Sequence, residues 1–238
     1  MRKLMGFIAA LLMTACADAG EVSAQTAGGG TVVRDVSIQS TVLGREMLYS
    51  VYLPAGYTSS KQYPVLYLLH GYGGDQNDWW VFDDMADDAD AMISSGEIPE
   101  MIIVTPDGGT WMYIDNCYGN GINYEQYFFQ DLMTDVESRY SIRRERGSRA
   151  IGGFSMGGYG ALRYGVLRHD LFCYVYAMSS VIGGYGATDM GDIITSYSPS
   201  ELPGITLECG DRDYFTYDNR EFSALLTRLG INHEHIER

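Results

Sequence analysis

Apolar and polar positions change rhythm once along this chain. From Thr31 to Pro54 they alternate and β-forming residues dominate, with Leu43-Gly44-Arg45 as a break, which predicts an N-terminal antiparallel hairpin. Beyond it, short continuous apolar runs take over: Val65 to Leu69, Met101 to Thr105, Arg149 to Phe154, Tyr174 to Met178, Ile205 to Cys209, and from His233 onward. Stretches of helical length separate them, at Asp83 to Ser94, Tyr124 to Tyr140, Met156 to Leu167 and Asn219 to Leu229. Strands buried on both faces and joined by helical crossovers imply an α/β fold, a mainly parallel central sheet with helices on both sides. No repeat, low-complexity block or linker divides residues 31–238, so they read as one domain.

The N-terminus follows a different logic. Met1-Arg2-Lys3 is a positive start, and Leu4 to Met13 is apolar but too short for a stable membrane span, which reads as an export signal over residues 1–19 with a flexible tether over 20–30. Two processing routes compete. Ala17-Asp18-Ala19 has the form of an ordinary cleavage site, whereas Met13-Thr14-Ala15-Cys16 is similar to a bacterial lipobox in which Cys16 carries the lipid. Either route predicts an exported bacterial protein, secreted, periplasmic or an outer-surface lipoprotein.

Composition fits one globular domain: 238 residues, 46% hydrophobic and 20% charged. Sixteen basic against 31 acidic side chains give a formal net charge of -15, a field that repels nucleic acid and anionic lipid. With Cys16 in the leader, Cys117, Cys173 and Cys209 remain, too few for a disulfide framework and not spaced as metal ligands; they read as small buried thiols. The acidic run Asp83, Asp84, Asp87, Asp88 and Asp90 has helical spacing and no glycine turn, so it predicts a solvated helix face rather than a calcium loop. Arg143, Arg144, Arg146 and Arg149 read as an exposed basic turn.

In open α/β sheets, ligands gather beyond the carboxyl ends of the strands. Here Val65 to Leu69 is followed by His70-Gly71-Tyr72-Gly73-Gly74, a turn able to aim backbone N–H groups at an anion. Arg149 to Ile151 leads into a Gly-x-Ser-x-Gly pattern at Gly153, Ser155 and Gly157, between a predicted strand and a predicted helix. That context marks Ser155 as a nucleophile. A serine needs an imidazole to take its proton and a carboxylate to orient the imidazole. Asp211 and Asp213 both follow the Ile205 to Cys209 strand and either can serve. The imidazole is missing from its place. His70 precedes the serine, His169 lies in a loop after its helix, and His233 and His235 fall inside the last predicted strand on one face.

These residues resemble the esterase branch of the α/β-hydrolases, the feruloyl and acetylxylan esterases of the first carbohydrate-esterase family. The resemblance spans nearly all of Val51 to Arg238. It rests on Leu68 to Gly74 followed by Asp78-Trp79, on Pro106-Asp107-Gly108-Gly109, on Trp111 to Asp115, on Gly153 to Ala161 and on Cys209 to Asp213. It implies Ser155 as nucleophile, Asp213 as the triad acid and the N–H groups of Tyr72 and Met156 as the oxyanion hole. It also implies no metal or organic cofactor, and a base shortly after the last strand, so the expectation is a chain incomplete at its C-terminus. Trp111, Tyr113 and Trp79 follow strand ends and are the candidates for substrate contact. The implied reaction is hydrolysis of a carboxylic ester on a carbohydrate, or of a small aryl or alkyl ester, with feruloyl or acetyl groups on xylan first. Export argues against the formylglutathione hydrolases, whose substrate is cytosolic. Two rivals remain, an acyltransferase on the same site and a catalytically inactive carbohydrate-binding protein built on the esterase fold.

Overall fold

The computed structural model describes residues 29–238; the leader, most of the tether and Cys16 lie outside the described residues. β1 (Thr31–Ser40) and β2 (Arg45–Leu53) form the expected antiparallel hairpin, turning at 41–44, with a bulge between Val33 and Val36. β3 (Val65–Leu69), β4 (Ile102–Pro106), β5 (Arg149–Phe154), β6 (Tyr174–Met178), β7 (Gly204–Cys209) and β8 (His233–Glu237) follow. The eight strands are ordered β1-β2-β4-β3-β5-β6-β7-β8, antiparallel through the β2–β4 pair and parallel from β4 to β8.

Two apolar layers explain why the runs read as continuous. In β3, Val65, Tyr67 and Leu69 face the larger core, whereas Leu66 and Leu68 face the smaller one. The larger layer holds α5 (Met156–Leu167) and α7 (Thr216–Leu229) through Tyr159, Leu162, Phe222 and Leu226. The smaller layer holds α1 (Asp78–Val81) and α2 (Met85–Ser95) through Trp79, Trp80, Ala89 and Ile93. Strands β3 to β8 are parallel, so their carboxyl ends share one rim of the sheet, and α5 begins there directly after β5.

Three readings are corrected. The helix expected over Tyr124 to Tyr140 is α3 (Tyr124–Tyr127) and α4 (Met133–Arg139) joined by a π turn at Phe128–Leu132. Asp131 in that turn accepts hydrogen bonds from Ser40 Oγ (2.6 Å), Thr41 Oγ1 (2.8 Å) and Val42 N (3.0 Å), tying the widened turn to the β-hairpin. Arg149 is not exposed but buried at 3%, its guanidinium on Glu137 Oε1 at 2.6 Å. Asp90 is not merely a solvated side chain, because its carboxylate accepts from Gly30 N (2.7 and 2.9 Å) and Tyr52 Oη (2.7 Å). The turn between α5 and β6 leads to α6 (Met190–Ile194) only after β6, a short helix capped by Asp189 Oδ1 on Gly191 N at 2.7 Å.

Candidate active site

Ser155 stands between β5 and α5 with φ 55° and ψ −111°, a conformation that costs a non-glycine residue about 1–3 kcal/mol. The neighbouring backbone imposes it. A Cβ on Gly153 would lie 2.3 Å from Gly157 O, and one on Gly157 would lie 2.3 Å from Leu69 O and 2.6 Å from His70 O. Strand, helix and the end of β3 therefore meet backbone to backbone, which is what the two flanking glycines allow. Three main-chain bonds then hold the serine: its N–H donates to Met178 O (2.8 Å), and its carbonyl accepts from Tyr159 N (3.1 Å) and Val181 N (3.2 Å).

Met156 is the first residue of α5, so its N–H lacks an intrahelical acceptor and points out of the helix amino end. Tyr72 lies in the turn after β3, closed by Gly74 N donating to Gly71 O at 3.2 Å, and it lines the same cavity as Ser155 and Met156. This cavity encloses about 380 Å³. Its other walls are Thr110, Met112, Tyr118, Val181, Tyr185 and Phe215. Among the described residues, four of the nine non-glycine positions with positive φ, Met112, Tyr118, Ser155 and Tyr185, line this one space. Backbone strain concentrates where a ligand would sit.

Asp213 is the half-buried member of the aspartate pair. Its Oδ1 accepts from Phe215 N at 2.8 Å in a local turn, two residues from a cavity wall, and its charge adds to the burial that pushes the Cys209 thiol up. Asp211 is exposed, its N–H donating to Arg238 O at 2.5 Å beside the end of β8.

None of the four histidines lines the Ser155 cavity. Gly108 N donates to His70 Nε2 at 2.7 Å, which leaves Nδ1 as the protonated nitrogen, donating to Gly71 O at 2.7 Å. The ring is thus a neutral brace between the turn carrying Tyr72 and the loop after β4. Its 3.9 Å approach to Asp107 Oδ1 is proximity rather than an ion pair, because Nε2 carries no proton to share. His169 packs its ring on Tyr197 at 5.5 Å. His233 and His235 lie within β8, as the sequence predicts; His233 bonds Ile231 O and Ser223 Oγ, both at 2.9 Å. His235 Nε2 is buried without a partner, and burial pushes its pKa below the ordinary histidine value.

The three aromatic residues expected at substrate, Trp79, Trp111 and Tyr113, do not line the Ser155 cavity. Tyr113 is wholly buried, its hydroxyl donating to His70 O at 3.1 Å and its carbonyl accepting from Tyr164 Oη at 2.6 Å. Burial also raises its pKa well above the ordinary tyrosine value. Trp111 is half-buried between the Arg45 guanidinium, 4.6 Å from its ring, and Tyr124, 5.8 Å away, and it does not line the Ser155 cavity. Trp79 is 5% exposed and belongs to the smaller core, at the wall of a separate space of about 360 Å³ that it shares with Phe154, Met178 and Glu208. Besides Tyr72, in the Gly-rich turn that the sequence singles out, the cavity is lined by Tyr118 and Tyr185, which sit in aperiodic loops whose only signal is the flanking glycines.

Among the described residues, no group of three or more His, Cys, Asp or Glu side chains is arranged to hold a metal ion. Cys117 and Cys209 are free, buried thiols.

Comparison with known proteins places this geometry. Residues 40–190 match the esterase family, described as "Putative esterase". The chain is 27% identical over 200 residues to an endo-1,4-beta-xylanase/feruloyl esterase of Xylanibacter ruminicola, which is 81% of this chain and 26% of that protein. It therefore spans about a quarter of that relative's length. A solved ferulic acid esterase superposes with a TM-score of 0.81 at 31% identity, covering 88% of this chain and 90% of the other. A ferulic acid esterase of the anaerobic fungus Anaeromyces mucronatus superposes with a TM-score of 0.74 at 25% identity, covering 90% and 85%.

Proposed function

This chain belongs to the esterase family of the α/β-hydrolases, and from that premise we propose that it is an exported serine hydrolase of aryl and acetyl esters on plant cell-wall xylan. The observation that carries the reading is Ser155 itself, held at φ 55° in a cavity of about 380 Å³ that Met156 and Tyr72 also line. Its Oγ attacks the ester carbonyl, and the oxyanion that forms sits against those two N–H groups, each worth about 3 kcal/mol to the transition state. The alcohol leaves, an acyl-enzyme remains, and water releases the acid. Asp213 orients the imidazole that relays the proton. None of His70, His169, His233 and His235 lines the Ser155 cavity.

Support for an aromatic acyl group comes from the tyrosine-walled cavity and from the ferulic acid esterases that this chain resembles. Support for export comes from the basic start and apolar run of residues 1–13, and a cell-wall polymer is a substrate met outside the cell. The lipid on Cys16 and simple release after Ala19 both remain compatible with that address.

A second reading, a carbohydrate-binding protein without turnover, is favoured by one observation: none of the four histidines of the sequence lines the Ser155 cavity. One experiment decides. The protein isolated from its source cells is treated with a fluorophosphonate probe and with methyl ferulate, alongside Ser155→Ala. Labelling and ferulate release that both vanish in the variant support the hydrolase; xylan binding with neither supports the second reading. Transfer to an added polyol in preference to water would instead mark an acyltransferase.

A further inference from the structure

Two of the cavity walls share features that packing does not require. Tyr118 is 74% exposed with φ 51°, and Tyr185 is 51% exposed with φ 53°. A large ring left in water on a strained backbone returns little to the fold. Both rings nevertheless line the space in front of Ser155.

The loops that carry them are braced internally and against each other. Asn116 N donates to Ile122 O at 2.7 Å, and Asn116 Oδ1 accepts from Gly121 N at 2.8 Å, so the turn bearing Tyr118 is closed at its base. The turn bearing Tyr185 is closed by Ala187 N donating to Gly184 O at 2.8 Å. Between the two, the buried Cys117 thiol lies 3.8 Å from Tyr185 O. Gly186, at φ +81°, lies under the Tyr118 ring: a Cβ there would come within 3.1 Å of it. The two tyrosine loops are therefore joined, by the Cys117–Tyr185 contact and by the Tyr118 ring lying over Gly186.

We propose that Tyr118 and Tyr185 are specificity-determining residues of the Ser155 site, a two-ring clamp for the planar aryl acyl group of a hydroxycinnamoyl ester. This rests on the reading of that cavity as the ester site. A flat conjugated acyl group offers both its faces and edges to aromatic rings, whereas a saturated ring of similar bulk offers only area. A short acyl group such as acetyl offers no flat conjugated face for such contacts. The interlock matters because rings fixed before binding lose little freedom when the acyl group arrives.

The test uses the full-length Ser155→Ala protein, so that binding is read without turnover. Titration calorimetry compares methyl ferulate with methyl 3-cyclohexylpropanoate, which matches its apolar bulk but is not flat. The parent is expected to prefer ferulate by about tenfold, the size of two modest aromatic contacts. Tyr118→Ala and Tyr185→Ala should each bring that ratio toward one, and Tyr→Phe at either position should restore it. Gly186→Ala, which pushes a methyl group against the Tyr118 ring while leaving both tyrosines in place, should lower the ratio as well. Thermal melting identifies any variant that has lost its fold, and the remaining variants then decide. A ratio that persists in the alanine variants, or a parent that binds the two esters equally, overturns the clamp. A parent that binds neither ester overturns the ester-site reading beneath it.

Discussion

The carboxyl ends of β5 and β7 lie two strands apart in the same sheet and are built by different means. At β5 the geometry is made by main chain: three backbone hydrogen bonds and two glycines whose missing side chains let β3, β5 and α5 touch. At β7 it is made by side chains, with Asp213 held by one local turn and, in the neighbouring β8, His233 bonded to Ile231 and Ser223 while His235 Nε2 is buried without a partner. A backbone-built nucleophile site tolerates almost no change at its glycines and needs little else. The proposed acid, Asp213, depends instead on one local loop turn.

The comparison can be broken from either end. The largest effect belongs to Ser155→Ala: hydrolysis of methyl ferulate should fall by at least about 10³-fold and probe labelling disappear, with an unchanged melting temperature. Asp213→Asn keeps an oxygen for Phe215 N, so the turn survives while turnover falls by up to about 10⁴-fold; Asp211→Asn, on the exposed neighbour, leaves the rate unchanged. Equal losses in the two asparagine variants would show that Asp213 has no special place. Gly157→Ala tests the β5 end. Its methyl group meets the Leu69 and His70 carbonyls, and urea unfolding should show a loss of about 3 kcal/mol or more. An unchanged midpoint would refute the backbone contact.

Two smaller effects sharpen the contrast. His70→Leu removes the brace between the turn of Tyr72 and the loop of Gly108, which should cost about 2 kcal/mol of stability and lower kcat more than it raises KM. A pure KM effect would place His70 in binding instead. His235→Leu should change stability at pH 7 by no more than about 1 kcal/mol. Because burial depresses the folded pKa of His235, the folded state favours the neutral ring. Its contribution is full above the unfolded value of about 6.5 and is lost as pH falls through the depressed value. Chemical denaturation between about pH 7 and 5 should therefore show a flatter loss of stability in the leucine variant, and parallel curves would assign the acid sensitivity elsewhere.

The same division decides what was legible in the sequence. β3, β5 and β6 appear at the residues where the apolar runs end, because a strand buried on both faces must be apolar throughout. The elbow around Ser155 was legible because its glycines answer to a steric rule. Tyr118 and Tyr185 were not, since a loop position is fixed by long-range closure, here by Cys117 and Gly186, and carries no period. Trp111 and Tyr113 misled for a related reason: following a strand end places a residue near the rim, but the neighbouring space decides its direction. The rings of Tyr113 and Trp111 pack where the side chains of Gly108 and Gly109 would have been. The π turn at Phe128–Leu132 was equally hidden, since it answers to Asp131 reaching the hairpin rather than to any helical pattern.

Asp90 shows how the described chain would bear load. One carboxylate on α2 takes up Gly30 N and the Tyr52 hydroxyl, at the point where the polypeptide joins the edge strand β1. Tension applied through the preceding residues meets this clasp before it reaches the β1–β2 ladder, whose bonds would otherwise open one after another from the end. Between a pull at residue 30 and the Ser155 cavity, four strands in from that edge, stand this clasp and the β1–β2 ladder.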